Sequence, residues 1–315
     1  MSRAVLLHVG VIALLFALQF VLSDYHHLTL TRVMILSVYA IGFNVLFGYT
    51  GLLSLGHALF FATGLYAAGL SATYWGFTAP TAFAAGIAAG LAVSLLIGAV
   101  ALRTTGVAFM IVTLMFAQAG HLATLYFGDI TRGDEGIVLP EASRKFAMLG
   151  ATVDLADAGL RFNLALVLLA VTIGVSLLIV KRPIGRVLIA IRENEPRTLM
   201  LGFDSFRTKL FAVVVSGTIS AAAGAATALA FGYVGSTFAS IQYSIYPLLW
   251  TLLGGAATVL GPVLGTLVMF HLVDLASGYT TASLLVVGVV LVLLVLFFPK
   301  GILGTVRARW LPWLP

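Results

Sequence analysis

The chain has 315 residues, of which 61% are hydrophobic and 9% charged, with a net charge of +6 and no cysteine. A soluble domain carries roughly 25% charged residues, so lipid must replace water around much of this surface. Disulfides, thiol catalysis and cysteine-ligated metals are excluded. The positive charges sit between apolar blocks, which fits basic loops at a membrane better than a nucleic-acid-binding face.

Arg3 precedes an apolar run from Ala4 to Leu22 that is long for a signal peptide and is followed by no A-x-A site, so it is read as a retained first span. Stretches free of Asp, Glu, Lys and Arg then cover 33–102, 104–128, 162–180, 210–273 and 275–299. At about 20 apolar residues per crossing, these predict nine or ten spans. Breakers at Gly48–Gly51, Gly76–Pro80, Gly232–Ser244 and Gly261–Pro262 divide the long runs. The expected spans are 4–22, 31–48, 51–74, 79–102, 106–127, 162–180, 209–231, 244–260, 261–277 and 282–298. The stretches Thr50–His57 and Ile241–Pro247 are expected to be broken or re-entrant, as membrane backbone can be where it lines a cavity.

Two loops interrupt the spans. The segment 129–161 carries Asp129, Asp134, Glu135, Glu141, Asp154 and Asp157, and the segment 181–209 carries Lys181, Arg182, Arg186, Arg192, Arg197, Arg207 and Lys209. Basic loops stay in the cytoplasm, which places 181–209 inside and 129–161 outside. With ten spans, Arg3, Arg103, Lys300, Arg307 and Arg309 also fall inside; with nine, one end conflicts. Ten spans with both termini cytoplasmic is the preferred reading. Gly217, Gly224 and the run Ala221–Ala226 allow close helix approach in lipid, with hinges or a substrate path as the other possibility.

No Gly-Lys-Ser/Thr phosphate loop, H-E-x-x-H or EF-hand pattern occurs. The residues therefore suggest a non-catalytic protein with no cofactor and no metal. Ionisable groups at membrane depth are functional candidates by default; here they are His57, His121, His271 and Asp274. The last three fall near outer span ends, where a simple interfacial role competes with an outer gate. The segment Arg186–Leu201, ended by Gly202, fits either a short amphipathic helix on the membrane surface or a solvated charged loop.

At this loop the sequence resembles a known family. Gly185-Arg186, Ala190-Ile191-Arg192-Glu193-Asn194-Glu195, Leu201-Gly202-Phe203 and Lys209-Leu210 are similar to the cytoplasmic coupling loop of branched-chain amino acid ABC transporter permeases of the LivM type. So are Asn44-x3-Gly48-x2-Gly51-Leu52-Leu53-Ser54-Leu55-Gly56-His57, Leu102-Arg103-x2-Gly106, Ile111-Val112-Thr113-Leu114, Gly254-Gly255, Gly261-Pro262-Val263-Leu264-Gly265 and Phe298-Pro299-Lys300-Gly301-Ile302-Leu303-Gly304. These lie in order from about residue 33 to 304. Two departures stand out: Glu195-Pro196-Arg197-Thr198 replaces the usual Glu-x-Ala-Ala, and Thr131-Arg132-Gly133-Asp134-Glu135-Gly136-Ile137 adds charges to the usual outer-loop pattern. Pro196 is comfortable only where a helix opens, so a docking helix is expected to start there and end at Leu201.

The resemblance implies an all-α polytopic bundle of about ten spans with an ABC importer permease fold, one transmembrane domain over 1–315, in a bacterial inner membrane. It implies a second related permease, two cytoplasmic ATPase subunits and a periplasmic solute-binding protein as partners, with no nucleic acid. The solute would be a branched-chain amino acid, urea, a short amide or an organic acid. Coupling to the ATPase falls to Arg192, Glu193, Glu195, Arg197, Leu199, Met200, Gly202 and Phe203. Binding-protein docking falls to Asp129, Asp134 and Glu135, and a path or gate to Asn44, Gly51, Ser54, His57, His121, His271 and Asp274. A free-standing secondary carrier or channel is the alternative; a coupled carrier would be expected to hold acidic groups at the membrane midplane, and no span has one.

Overall fold

A computed structural model describes residues 3–148, 151–279, 282–311 and 313. Helices dominate: α1 (Arg3–Leu18), α2 (Asp24–Asn44), α3 (His57–Tyr74), α4 (Ala79–Ala101), α5 (Val107–Tyr126), α6 (Gly128–Thr131), α7 (Glu141–Arg144), α8 (Ala158–Lys181), α9 (Pro183–Met200), α10 (Ser205–Phe231), α11 (Ile241–Gly254), α12 (Gly261–Tyr279), α13 (Ser283–Phe297) and α14 (Ile302–Arg309). All ten expected span positions are occupied by helices, α1–α5, α8 and α10–α13. Among the described residues, six helices are long and apolar enough to cross a membrane: α2 with its extension to Tyr49, α4, α5, α8, α10 and α12. At 1.5 Å per residue, the 14-residue α11 reaches only about 21 Å of a roughly 30 Å hydrocarbon core, so it is too short to cross by itself.

The helix ends follow local chemistry. Pro183 opens α9 and Pro80 lies in the first turn of α4, where a missing N–H costs nothing. The side chains of Asp157 and Asp204 cap α8 and α10 by accepting from Leu160 N at 3.1 Å and Arg207 N at 3.0 Å.

α10 is the central post, packed chiefly on α3 and α4 and then on α2. In lipid no hydrophobic force drives helices together, so close backbone contact must do so. Along α10 the buried residues are small, from Ser216 and Gly217 through Ala221–Ala225. A Cβ at Gly64 would collide with the Ala221 carbonyl, and one at Gly224 with the Phe61 carbonyl, so α3 and α10 touch backbone to backbone. Larger side chains fill the flank toward α2, α8 and α11, among them Tyr39, Phe61, Phe162, Leu169 and Ile173.

The loops separate onto two ends of the bundle, joined by the 24-residue α8. At the acidic end, β1 (Ile137–Val138) pairs antiparallel with β4 (Tyr233–Val234), with Ile137 opposite Val234. There the α5–α8 connection is stitched to the α10–α11 connection. It also holds the hairpin of β2 (Lys145–Met148) and β3 (Ala151–Asp154), and Tyr74 donates to the Ile130 carbonyl at 2.9 Å. The basic end carries α9, the Gly255–Leu260 connection and α14, where Arg307 donates to the Ala257 carbonyl at 2.8 Å.

Candidate functional site

Two chain breaks enter the bundle from opposite ends and meet near its middle. From the basic end, α2 loosens into a π-helical turn, Val45–Tyr49, and Thr50–Gly56 runs without helix before α3 begins at His57. From the acidic end, α10 stops at Gly232, and β4 and a 3-10 turn, Ser236–Ala239, lead to α11. The breaks join where Ala58 N donates to Ser244 Oγ at 3.0 Å and where the Phe61 ring packs on Phe238 and Tyr243, at 6.1 and 5.7 Å.

His57, fully buried, stands at this junction with its Nε2 2.7 Å from Ser216 Oγ, while Ser216 Oγ donates to the Gly42 carbonyl at 2.5 Å. A serine has one proton. The carbonyl can only accept, so that proton goes to Gly42, and His57 Nε2 must be the donor to Ser216. His57 thus carries a proton on Nε2, and its Nδ1 is buried with no partner among the described residues. One imidazole thereby ties α3, α10 and α2 together.

Asn44 and Ser54 hold the break in shape. The Asn44 side chain donates to the Thr258 carbonyl at 2.9 Å and accepts from Ala257 N at 3.0 Å. That pins the α11–α12 connection, including Ala257 at φ +57°, against α2. Ser54 Oγ accepts from Gly56 N at 3.2 Å. Gly51, at φ +75°, lies under the Arg192 stem, whose Cγ would be 2.7 Å from an added Cβ.

α9 grips this core. Arg192 donates to the Gly48 carbonyl. Glu195 forms an ion pair with Lys209 of α10 and accepts from Ser205. Burial alone would raise the Glu195 pKa, but the Lys209 ammonium and the Ser205 hydroxyl outweigh it and hold it below the ordinary carboxylate value. The helix kinks at Asn194, where φ is −159° and ψ 95°, and Asn194 Oδ1 caps the second half by accepting from Arg197 N at 2.9 Å. Pro196 therefore opens a new short helix, and Gly202, at φ +86°, follows its end. Asn194 sets the start of this helix, and Glu195 is turned toward α10 and tethers α9 to it. The tip is apolar and uncovered: Met200 is 87% and Leu201 70% exposed, with Leu199 and Phe203 beside them. Glu193 and Arg197 are exposed around it.

At the acidic end Asp134 accepts from Ser236 Oγ at 2.7 Å, which locks the loop 129–161 to the second break. Tyr233 donates to the Glu135 carbonyl at 3.3 Å, leaving the Glu135 carboxylate outward, and Asp129 is exposed in α6.

The family model described as "Branched-chain amino acid transport system / permease component" matches residues 27–298, which contain both breaks, α9 and the loop 129–161. The chain belongs to this permease family. It is 28% identical over 300 residues to the "High-affinity branched-chain amino acid transport system permease protein LivM" of Salmonella typhimurium and to that of Escherichia coli, covering 89% of this chain and 70% of each relative. A "Probable branched-chain amino acid transport permease protein LivM" of Methanocaldococcus jannaschii is 33% identical over 86 residues, 27% of this chain and 25% of the relative. No solved structure matches the chain.

Of the residues singled out by sequence, the permease gathers Asn44, Gly51, Ser54 and His57 at one break and sets Arg192 against it. His121 is elsewhere, beside a cavity of about 230 Å³ between α3 and α5 that Tyr66 and Thr124 also line. His271 and Asp274 each bond elsewhere: His271 Nδ1 lies 2.9 Å from the Leu267 carbonyl, and Asp274 accepts from Tyr25 at 3.4 Å. Ser205, Ser216 and Ser244 were missed, as was the pairing of Lys209 with Glu195. Each is an ordinary side chain in the sequence and acquires meaning only from a partner far along the chain.

Proposed function

We propose that this permease is the membrane-spanning subunit of a binding-protein-dependent ABC importer, moving a small polar solute of the branched-chain amino acid class into the cytoplasm. α1–α5, α8 and α10–α13 make ten crossings, some completed by irregular chain, with both termini and α9 cytoplasmic and the outer loop periplasmic. A second related permease completes the path, two ATPase subunits drive it, and a soluble binding protein delivers solute to the outer loop around Asp129, Asp134 and Glu135. The membrane is the bacterial inner membrane.

The observation that carries this reading is α9. A docking helix needs an uncovered apolar anchor and a stiff connection to the transport path. Met200 and Leu201 supply the first. The Arg192–Gly48 bond and the Glu195–Lys209 pair supply the second, reaching the broken helix and the central post. Displacing α9 pulls on the π-helical turn, and the turn leads through Thr50–Gly56 to His57 and Ser216. The path itself has little use for acid: Asp and Glu are missing from 25–128 and from 205–273, which disfavours an ion-coupled carrier.

The test is assembly and transport. The permease, co-expressed with its partner subunits and reconstituted into vesicles, should retain the ATPase subunits and take up solute only with both ATP and binding protein. Uptake by the permease alone, driven by a proton or sodium gradient, would replace this reading with the carrier.

A further inference from the structure

At the basic end, the π-helical turn, α9, the end of α11 and α14 enclose a cleft of about 590 Å³, lined by Phe47, Arg192, Leu252, Lys300 and Arg307 among others. Three cations line it and no carboxylate does. Arg192 and Arg307 each donate to one backbone carbonyl, of Gly48 and Ala257, and a guanidinium has five N–H groups, so both keep donors to spare. Lys300 makes no hydrogen bond or ion pair among the described residues. Of the two acids close to Arg192 in sequence, Glu193 is exposed and does not line the cleft, and Glu195 is committed to Lys209 and Ser205. Gathering three like charges is costly unless an anion joins them.

The surroundings say which kind of anion. α13 leads directly into the cleft, and Leu285, Val289, Val292, Leu296 and Phe297 along it are exposed, as suits a helix bathed in acyl chains. On the other side α14 ends at Trp310, 79% exposed. Tryptophan and cations together at the end of an apolar helix mark the headgroup layer, and a basic pocket at the cytoplasmic side suits an anionic headgroup. The cleft is also firmly built: Gly255 sits against the Gly304 backbone, and Gly301 against Gly255, so α14 is held on the α11–α12 connection.

We propose that this cleft binds the phosphate of an anionic glycerophospholipid, with the lipid's chains lying along α13. Because Arg192 belongs to both the cleft and the α9 grip, a bound headgroup steadies α9 against the broken helix. This second step rests on the coupling role given to α9 above; the lipid site itself does not.

The full chain in detergent, offered phosphatidylglycerol and phosphatidylethanolamine together, is read by native mass spectrometry. The chain should retain phosphatidylglycerol preferentially. Lys300→Gln should lower that retention about fivefold, the effect of one cation near an anionic lipid, and Lys300→Arg should preserve it. Equal retention of both lipids, or no change in Lys300→Gln, overturns the proposal. Inorganic phosphate should not displace the lipid; displacement would assign the cleft to a soluble phosphate instead. Loss of the lipid on adding the ATPase subunits would give the cleft to an acidic segment of that partner and likewise overturn it. The readout needs no transport, so failure of the importer reading and failure of the lipid site are separable.

Discussion

Lys209→Met probes the tether between α9 and α10. The Lys209 side chain is 9% and the Glu195 side chain 34% exposed. Removing one partner of a fully buried pair costs about 3–5 kcal/mol, whereas exposed pairs are worth about 0–1 kcal/mol. With one partner buried and the other a third exposed, about 1–2 kcal/mol is expected after discounting for solvent. Glu195 would keep only Ser205, and its depressed pKa would rise. In the wild type, a folded pKa below the ordinary 4.5 means that the carboxylate's contribution is fully present above that value and is lost as pH falls through the lower one. Neutral to mildly acidic buffers therefore leave it intact. Thermal denaturation of the purified protein should show Lys209→Met destabilised, Glu195→Gln destabilised at least as much because it leaves the more buried charge unpaired, and the double variant better than the sum, because no lone charge is left. A coupling energy of about 1–2 kcal/mol is expected from the cycle. Strict additivity would refute the pair as an energetic link, whatever its geometry.

Gly202→Val should uncouple ATP hydrolysis from uptake while the protein still inserts, because nothing crowds its Cβ and the cost of about 1–2 kcal/mol is conformational; Gly202→Asn, which tolerates positive φ, should retain coupling, and equal behaviour of the two would contradict this. Ser216→Ala leaves His57 Nε2–H and the Gly42 carbonyl unsatisfied and should cost about 1–3 kcal/mol, measured by thermal denaturation; a neutral outcome would remove the junction from the account. Reversing Asp134 and Glu135 to Lys should weaken binding-protein affinity in a salt-dependent manner, with unchanged affinity at low salt as the contrary result.

Much of this architecture is written in apolar run lengths and breakers. The expected 79–102 and 106–127 became α4 and α5 almost residue for residue, since a helix in lipid must satisfy its own backbone and has few other options. Gly202 and Pro196 were legible for the same reason, each being restricted to a few backbone positions. The two breaks were visible as glycine- and serine-rich stretches, but their meeting was not: Ala58 and Ser244 lie in different spans, and no periodicity relates them. The partner of Glu195 was not legible, because Lys209, fourteen positions on, sits across the turn that begins α10. The partners of His271 and Asp274 were equally hidden, one being a carbonyl of its own helix and the other Tyr25 of α2.

The central claim is that the α9 tip is the surface the ATPase grips. The chain has no cysteine, so Met200→Cys provides a unique thiol without further changes. In vesicles holding the assembled complex, a short bifunctional maleimide reagent should cross-link Met200→Cys to an ATPase subunit, and the ATPase should protect the thiol from a monofunctional maleimide. A control cysteine at Glu135, at the opposite end, should do neither. Full reactivity of the Met200→Cys thiol with and without bound ATPase, and no cross-link, would contradict the account.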